Sequence, residues 1–269
     1  MTPPAATPDY WRRQIADKPL FADMLWSRPE NRQLAGKLLV VGGNAHGFAT
    51  TADAYNQALQ AGVGTARVML PDSLAKTLGR AFDAGEFAPS TPSGSFSQKA
   101  LAELLSLAHW ADSVVIGGDL GRNSETAILL ESFIAKYQGQ LTIYNDGTDY
   151  ALAMAESVLQ RPDTTLVVDF SQLQRLFIAA RVPKAITSDM DLLRLTEALH
   201  LFTLQHTVHL VLMHDRQQFV AVQGSISTTP HHKGGETALH WQAAAAAKSA
   251  VWWLQHPQKV FEALTTASL

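Results

Sequence analysis

The chain has 269 residues, of which 46% are hydrophobic and 17% charged, and its formal net charge is -3. The length suits one large α/β domain or at most two small ones, and the composition argues against a disordered chain. The lack of a basic field excludes nucleic acid as a partner. Cysteine is absent, which excludes disulfides, thiolate metal ligands and a cysteine nucleophile.

The amino-terminal part of the chain is predicted to be an arm. Residues 1–9 are rich in proline, alanine and threonine, and they lack the basic start and apolar core of a secretory signal. No apolar run reaches the roughly 18 residues that a membrane span needs. We therefore expect a cytoplasmic protein without a membrane partner. It would have an arm and leading helix over residues 1–34 and one α/β domain over residues 35–269.

From residue 37 onward, strands and helices are predicted to alternate. Short apolar runs predict strands over Lys37–Gly43, Thr65–Leu70, Ser113–Ile116, Leu141–Tyr144, Thr164–Val168, Val208–Met213 and Gln217–Val222. Helical spacing and capping signals predict helices over Thr51–Ala61, Asp72–Phe82, Ser97–His109, Asn123–Tyr137, Ser171–Ala179, Asp189–His206 and Glu236–Gln255, with a short helix after Pro257. Gly85–Gly94 contains two prolines and is predicted to be a loop. The alternation predicts a mostly parallel sheet covered on both faces, with an antiparallel pair at one edge.

Two glycine turns follow predicted strands. Gly117-Gly118-Asp119-Leu120-Gly121 lies between a strand and a helix, and Gly42-Gly43 with Gly47 follows the first strand. Glycine lets the backbone approach a ligand, and the start of a helix offers free N–H groups. Ligands of open α/β sheets bind at such carboxyl ends of strands, although a tight turn without a ligand explains the same residues. Neither turn has the dinucleotide spacing G-x-G-x-x-G.

Two further polar segments are candidates for binding. Asn145-Asp146-Gly147 follows a strand, so Asp146 could bind a metal, a hydroxyl or a ribose, but these residues are also ordinary turn formers. His231-His232-Lys233-Gly234-Gly235-Glu236 precedes the alanine-rich helix, where glycines and Lys233 could hold phosphate. An acidic residue in the first turn can equally compensate the helix dipole. The two histidines have no third ligand at a regular spacing, so a metal site is disfavoured.

Taken in order, three segments resemble the ADP- or ATP-dependent NAD(P)H-hydrate dehydratases, a branch of the ribokinase-like superfamily. Gly36–Gly43 resembles the family's first strand and glycine pair, and Ala58–Gly64 is similar to its A-L-R-A-G-A-G turn. Ala111–Arg122 resembles its A-D-x-x-x-I-G-P-G-L-G-R segment. The resemblance covers roughly residues 35–253. It implies a ribokinase-like three-layer α/β/α sandwich with a mostly parallel central sheet.

The resemblance also implies a chemistry and a set of site residues. Members of the family repair hydrated NADH or NADPH: a nucleotide phosphorylates the added hydroxyl, and phosphate is then eliminated. It implies ADP or ATP as the nucleotide and leaves open whether Mg²⁺ is required. The implied substrate-binding residues are Gly43, Asp119, Gly121, Asp146 and Asp169. The nucleotide-binding residues are His214, Lys233, Gly234 and Gly235, and Glu236 is the catalytic residue.

Several family positions are altered in this chain. The family's D-A-D-A-L stretch aligns with Tyr144–Thr148, and this chain keeps its second aspartate as Asp146. In the T-P-H-P-G-E segment, histidine becomes Asp169 and glutamate becomes Gln172, and the late lysine-glycine pair becomes Met213-His214. The G-T-G-D loop becomes Lys233-Gly234-Gly235-Glu236. Residues of one site act as a unit, so we expect reduced or lost activity.

The altered positions leave two alternatives open: a non-catalytic nucleotide-binding relative, and a small-molecule kinase of the carbohydrate type that uses Glu236 as a base. The alanine-rich helix and Trp252-Trp253 also suggest a homo-oligomer, a dimer or tetramer, because aromatic residues are enriched at interfaces. The alternative is that both tryptophans lie in the core.

Overall fold

The computed structural model describes residues 7–15, 17–79, 82–183, 185–231 and 238–269. Within them, ten strands form one sheet. These are β1 (Trp11–Arg13), β2 (Lys37–Val41), β3 (Thr65–Pro71), β4 (Gly85–Ala88), β5 (Ser113–Ile116), β6 (Gln140–Tyr144), β7 (Thr164–Val168), β8 (His209–His214), β9 (Gln217–Val222) and β10 (Ser225–Pro230). Their order in the sheet is β1-β10-β9-β8-β7-β6-β5-β2-β3-β4. β9 runs antiparallel to both of its neighbours, and the other pairs are parallel.

Helices cover both faces of this sheet. They are α1 (Ala22–Trp26), α2 (Ala49–Gln60), α3 (Ala75–Leu78), α4 (Leu101–Trp110), α5 (Ser124–Lys136), α6 (Asp146–Ala153), α7 (Ala155–Leu159), α8 (Phe170–Ala179), α9 (Leu192–Gln205), α10 (Ala238–Gln255) and α11 (Val260–Thr266). Helices α4, α5, α8 and α9 contribute to the core on one face. Helices α2, α10 and α11 contribute to the core on the other. The predicted mostly parallel sheet between two helical layers is therefore confirmed.

The central strands are apolar throughout because both of their faces are buried. In β2, Leu39 and Val41 enter the core beside α4 and α5, while Leu38 and Val40 enter the core beside α2 and α10. Successive side chains of a strand point to opposite faces, so a strand between two helical layers needs apolar residues at every position. This is why continuous apolar runs located the central strands correctly.

Three predicted elements differ from the structure. The predicted loop Gly85–Gly94 begins with strand β4, which pairs with β3 at the edge of the sheet. In place of the predicted helix Asp72–Phe82, the structure has a short 3-10 turn followed by α3. The Asp72 side chain does not cap this helix and instead accepts a hydrogen bond from the Ser90 N–H. The Asn145-Asp146-Gly147 segment is the start of helix α6 rather than an isolated turn.

The antiparallel part of the sheet is larger than the predicted pair. β9 pairs with β10, and β10 pairs in turn with β1 from the amino-terminal arm. The side chain of Trp11 is buried and donates from Nε1 to the hydroxyl of Thr228 at 3.1 Å. Part of the arm is therefore an integral edge strand.

Trp252 and Trp253 lie in the core of the chain, 8% and 1% exposed. Most alanines of α10 are buried as well, because the helix packs between α2 and the sheet. Neither feature supplies the exposed aromatic surface from which self-association was expected. Homo-oligomer formation stays a prediction without that support. Among the described helices, none has the length and apolar character that crossing a membrane requires.

Candidate functional site

The carboxyl edge of four neighbouring strands carries all five of the predicted substrate-binding residues. β7, β6, β5 and β2 are adjacent and parallel, so the segments that follow them meet at one edge. Gly43 follows β2, Asp119 and Gly121 follow β5, Asp146 follows β6 and Asp169 follows β7. The structure thus gathers residues that are more than 120 positions apart in the sequence.

The two glycine turns touch each other at this edge. The Gly43 N–H donates to the carbonyl of Gly118 at 2.9 Å. A Cβ at Gly42 would lie 2.4 Å from the carbonyl oxygen of Gly117, and Gly118 has a φ of +78°. A side chain at Gly42 would collide with backbone, and the backbone conformation of Gly118 is one that L-residues rarely adopt. Glycine is therefore required here by packing, whether or not a ligand binds.

Asp146 holds the glycine loop in place. Its Oδ1 accepts from the Gly118 N–H at 2.9 Å, and its Oδ2 accepts from the Gly121 N–H at 3.2 Å. Burial is the largest influence on this carboxyl group and raises its pKa to about 6, although backbone hydrogen bonds from Leu120, Gly121 and Gly118 act in the opposite direction. Both oxygens of Asp146 are thus committed to the loop.

Asp119 connects the same loop to helix α2. Its Oδ2 accepts from the Thr50 N–H at 2.9 Å, in the first turn of that helix. Its carbonyl accepts from the side-chain amide of Asn44 at 2.6 Å, and its φ is +62°. A negative charge at a helix amino terminus is stabilised by the free N–H groups there. The side chain therefore has a structural partner in addition to its predicted role in substrate binding.

Asp169 caps helix α8. Its Oδ1 accepts from the Gln172 N–H at 2.7 Å, while the Gln172 Oε1 accepts from the Asp169 N–H at 3.1 Å. This reciprocal pair is a capping box. The Gln172 Nε2 also donates to the carbonyl of Asn145 at 2.8 Å. Gln172 therefore ties the ends of β6 and β7 together.

Asn145 is strained and unpaired at this junction. Its φ is +48°, its side chain is buried, and neither polar atom of its amide has a hydrogen-bond partner. A non-glycine residue in this conformation costs energy and persists where the surrounding structure enforces it. Here the neighbouring contacts of Asp146 and Gln172 enforce it.

A cavity of about 420 Å³ opens beside the glycine loop. Its walls are formed by Gly121, Arg122, Asn123, Asp146, Asp149, Tyr150 and Arg175. The Tyr150 hydroxyl donates to the Gly121 carbonyl at 2.8 Å and accepts from the Asn123 N–H at 3.0 Å. Arg175 pairs with Asp149 at 2.6 Å, and both side chains are partly exposed. The cavity combines backbone groups, two guanidinium groups and two carboxylates.

The predicted nucleotide-binding and catalytic residues are mostly beyond what the structure describes. His214 ends β8 and stacks on Phe170 with ring centroids 4.4 Å apart. Lys233, Gly234, Gly235 and Glu236 lie outside the described residues. The first described turns of α10 are anchored at the same edge of the sheet: His240 pairs with Asp53 of α2, and Gln242 contacts Gln172.

Sequence reasoning did not single out Tyr150 or Arg175 as cavity residues. Tyr150 lies four positions after Asp146, so one turn of α6 places both beside the loop. A spacing of four residues indicates that two side chains are neighbours only when the segment is helical. The sequence pattern favours a turn here, so it did not reveal this proximity. Arg175 comes from the middle of α8, and its place in the cavity depends on how that helix packs.

The described residues contain no group of three or more His, Asp or Glu side chains that could hold a metal ion. The edge aspartates accept hydrogen bonds from backbone N–H groups instead. Mg²⁺ usually binds through one or two carboxylates together with waters and substrate phosphates. A Mg²⁺ ion held in this way needs fewer protein ligands than a group of three carboxylate or imidazole side chains.

No protein-family model and no curated protein sequence matches this chain. Solved structures do match. A ribokinase-like superfamily protein from Enterococcus faecalis has a TM-score of 0.72 and 16% identity, over 98% of this chain and 88% of that one. The ADP/ATP-dependent NAD(P)H-hydrate dehydratase of Bacillus subtilis, crystallised with ATP and Mg²⁺, has a TM-score of 0.61 and 11% identity, over 88% and 79%. Staphylococcus aureus pyridoxal kinase has a TM-score of 0.54 and 11% identity, over 86% and 84%. These likenesses and the sheet between two helical layers show that the chain has the ribokinase-like α/β fold.

Proposed function

We propose that the chain binds a nucleotide-containing small molecule at the carboxyl edge of its sheet and is an NAD(P)H-hydrate dehydratase-like protein with reduced activity. The observation that carries the proposal is the bridge from Asp146 to the N–H groups of Gly118 and Gly121. It fixes the glycine loop beside the 420 Å³ cavity. A rigid glycine loop lets backbone groups approach a ligand, and ligands of open α/β sheets lie at this edge.

The charges of the cavity support an anionic ligand. Arg122 and Arg175 both line it, and a guanidinium group keeps its positive charge at neutral pH. Phosphate and pyrophosphate groups accept paired hydrogen bonds from arginine. Arg175 already pairs with Asp149, so a bound phosphate would compete for that guanidinium group. A dinucleotide such as NADH or NADPH carries the phosphates that this arrangement can bind.

In the proposed reaction, ADP or ATP transfers a phosphoryl group to the hydroxyl that hydration has added to the nicotinamide ring. Loss of that group as phosphate, together with a proton from the neighbouring ring carbon, then restores the ring double bond. Arg122 and Arg175 would bind the substrate phosphates, and the loop held by Asp146 would orient the hydrated ring. The stack of His214 on Phe170 presents aromatic rings on which an adenine base could lie. Removal of the hydroxyl proton is assigned to Glu236.

A non-catalytic nucleotide-binding role is the second candidate, and the edge aspartates favour it. Asp119, Asp146 and Asp169 each accept a hydrogen bond from a backbone N–H. These contacts use the three carboxylates to stabilise the local backbone. Glu236 is then the one acidic residue of the predicted site that remains for proton transfer. A glutamate in place of aspartate moves the carboxylate by about 1 Å, and misplacement on that scale can cost roughly 10²-fold in rate. Binding without turnover would favour this second candidate.

Two measurements test the proposal together. A thermal-shift screen with ADP, ATP, NADH, NADPH and AMP detects binding, because a ligand that binds the folded state raises the melting temperature. Incubation of hydrated NADH or NADPH with ATP or ADP then measures restoration of the absorbance of the reduced dinucleotide. No melting shift with any dinucleotide would contradict the proposal. Phosphorylation of pyridoxal by ATP, without repair of hydrated dinucleotide, would favour a small-molecule kinase.

A matched pair of variants locates the site. Arg175→Ala removes a cavity guanidinium group, and Arg194→Ala removes one that pairs with Asp191 on α9. Both arginines are exposed and ion-paired, so each substitution removes one positive charge and one surface ion pair. Arg175→Ala should weaken NADPH binding about tenfold, corresponding to roughly 1.4 kcal/mol for a charge-assisted hydrogen bond. Arg194→Ala should leave binding unchanged.

A further inference from the structure

A second cavity, of about 460 Å³, lies at the opposite, amino-terminal edge of the sheet. It is bounded by residues just before β7 and β8, by the residue after β9, and by the segment between α10 and α11. None of the residues that line the cavity beside the glycine loop lines this one. It is therefore a separate candidate site within the described part of the chain.

Two imidazole rings in its wall have unpaired nitrogen atoms. His209 is 4% exposed, and its Nδ1 is shielded from solvent without a hydrogen-bond partner. The Nδ1 of His206, which also lines the cavity, is in the same situation. Buried polar atoms in folded proteins are nearly always paired, so two unpaired nitrogens in one cavity wall need an explanation. A ligand in the cavity supplies the missing partners only after a ring has turned its Nδ1 toward the cavity.

The electrostatics of the wall disfavour an anionic ligand. Burial lowers the pKa of His209 to about 4 and lowers that of His206 as well, so both rings are neutral near pH 7. Among the described lining residues there is no lysine or arginine, and Asp163 contributes a carboxylate. An anion would meet no positive charge here. A neutral imidazole instead offers one donor and one acceptor.

The remaining polar lining groups are amides, supplied by Gln205, Gln223 and Gln258. Amides and neutral imidazoles both donate and accept hydrogen bonds, and the hydroxyl group is the uncharged partner that can do both in return. Trp253 also lines the cavity, but it is 1% exposed and lies edge-on to His209, so it offers no open face for stacking an aromatic ligand. The volume is within the usual range for small-molecule sites.

We propose that this amino-edge cavity binds an uncharged, hydroxyl-rich small molecule of about monosaccharide size, whose hydroxyl groups pair with His206, His209 and the surrounding glutamine amides. A half-turn of either imidazole about its Cβ–Cγ bond exchanges Nδ1 with a ring carbon. Such a turn can bring the shielded nitrogen to a ligand hydroxyl. The NMR signals of the His206 and His209 ring nitrogens should therefore change when a ligand binds.

The experiment uses the full chain with ¹⁵N-labelled histidine and follows the ring nitrogens by NMR. The uncharged probes are D-glucose, D-ribose and glycerol, and inorganic phosphate is the anionic comparison. At least one uncharged probe should shift the His206 and His209 signals in a saturable way, whereas phosphate should not. His109 on α4 lies outside the cavity and should not respond. Absence of a shift with all three uncharged probes, or a stronger response to phosphate, overturns the proposal.

A pair of tryptophan substitutions on α9 controls for location. Leu204 lines the cavity and is 60% exposed, while Leu201 is 47% exposed and is not a lining residue. Leu204→Trp should fill the cavity and abolish the sugar-induced shifts, and Leu201→Trp should retain them. Binding that survives Leu204→Trp overturns the proposal. A lower molar mass of that variant in light scattering also overturns it, because the cavity would then belong to a contact between copies of the chain.

Discussion

The side-chain amide of Gln242 donates to the Oε1 of Gln172 at 2.8 Å, and this hydrogen bond joins the start of α10 to the start of α8. The same Oε1 accepts from the Asp169 N–H, and the Gln172 Nε2 donates to the Asn145 carbonyl. One buried amide therefore links the ends of β6 and β7 to the helix that follows the predicted anion loop. Networks of this kind rigidify a site when every member is paired.

We predict that Gln172→Ala lowers the free energy of unfolding by about 1–3 kcal/mol, because it leaves buried polar groups without partners. Gln174→Ala is the matched control. It removes one part-buried hydrogen bond, from Nε2 to the Ile186 carbonyl, and should cost less. Urea unfolding monitored by circular dichroism measures both. Equal losses for the two variants would show that the Gln172 network adds nothing beyond a single bond.

We predict that Asp146 makes stability depend on pH between about 4 and 6. Folding raises its pKa from 3.8 to about 6, so the native state favours the protonated form. The contribution to stability is complete below about pH 4 and is lost as pH rises through about 6. A shift of about two pKa units corresponds to up to about 3 kcal/mol.

Asp146→Asn tests this dependence, because asparagine does not titrate. From pH 4 to pH 7, the stability of the variant relative to the parent chain should rise by up to about 3 kcal/mol, on top of a constant loss for the disturbed loop contacts. Asp149→Asn, at a partly exposed carboxylate in the same helix, is the matched control for the change of a carboxylate to an amide. A difference between Asp146→Asn and the parent that stays constant over this range would contradict the prediction.

The central strands could be predicted because burial on both faces demands unbroken apolar runs, as in β2 and β5. β10 was missed because serine and threonine fill four of its six positions. Its hairpin turn, Gln223-Gly224, has positive φ at both residues, and this X-Gly pair was the available signal. β4 was missed because its four residues precede a proline-rich loop.

The position of the candidate site could also be predicted, but its contacts could not. Gly121 and Asp146 were placed correctly at one edge because parallel strands align their carboxyl ends. The contact of Gln172 with Asn145 depends on the relative positions of α8 and β6, which no local pattern encodes. Composition suggested an interface at Trp252-Trp253, whereas the packing of α10 buries both side chains.

We predict that Glu236→Gln lowers any turnover of hydrated dinucleotide by at least about 10²-fold, the usual lower range for a general base. Removal of the carboxylate should leave the urea midpoint nearly unchanged, because its alternative role is compensation of the helix dipole, which is worth roughly 0.3–1 kcal/mol. Glu262→Gln, in the first turn of α11, is the control and should keep full turnover. Turnover that survives Glu236→Gln would make this residue structural and the aligned catalytic loop wrong.

We predict that ADP and ATP bind weakly, with dissociation constants above the micromolar range, because Met213-His214 replaces a lysine-glycine pair of the similar family. An imidazole does not carry the permanent positive charge of an ammonium group. His214→Lys should therefore strengthen ADP binding about fivefold, as expected for about 1 kcal/mol from one exposed charge pair. The substitution also removes the stack on Phe170, which limits the gain.

His109→Lys, at an exposed position on α4, adds the same charge elsewhere and should have no effect. Calorimetry measures all three proteins, and micromolar or tighter ADP binding by the parent chain would show that the lysine is dispensable here.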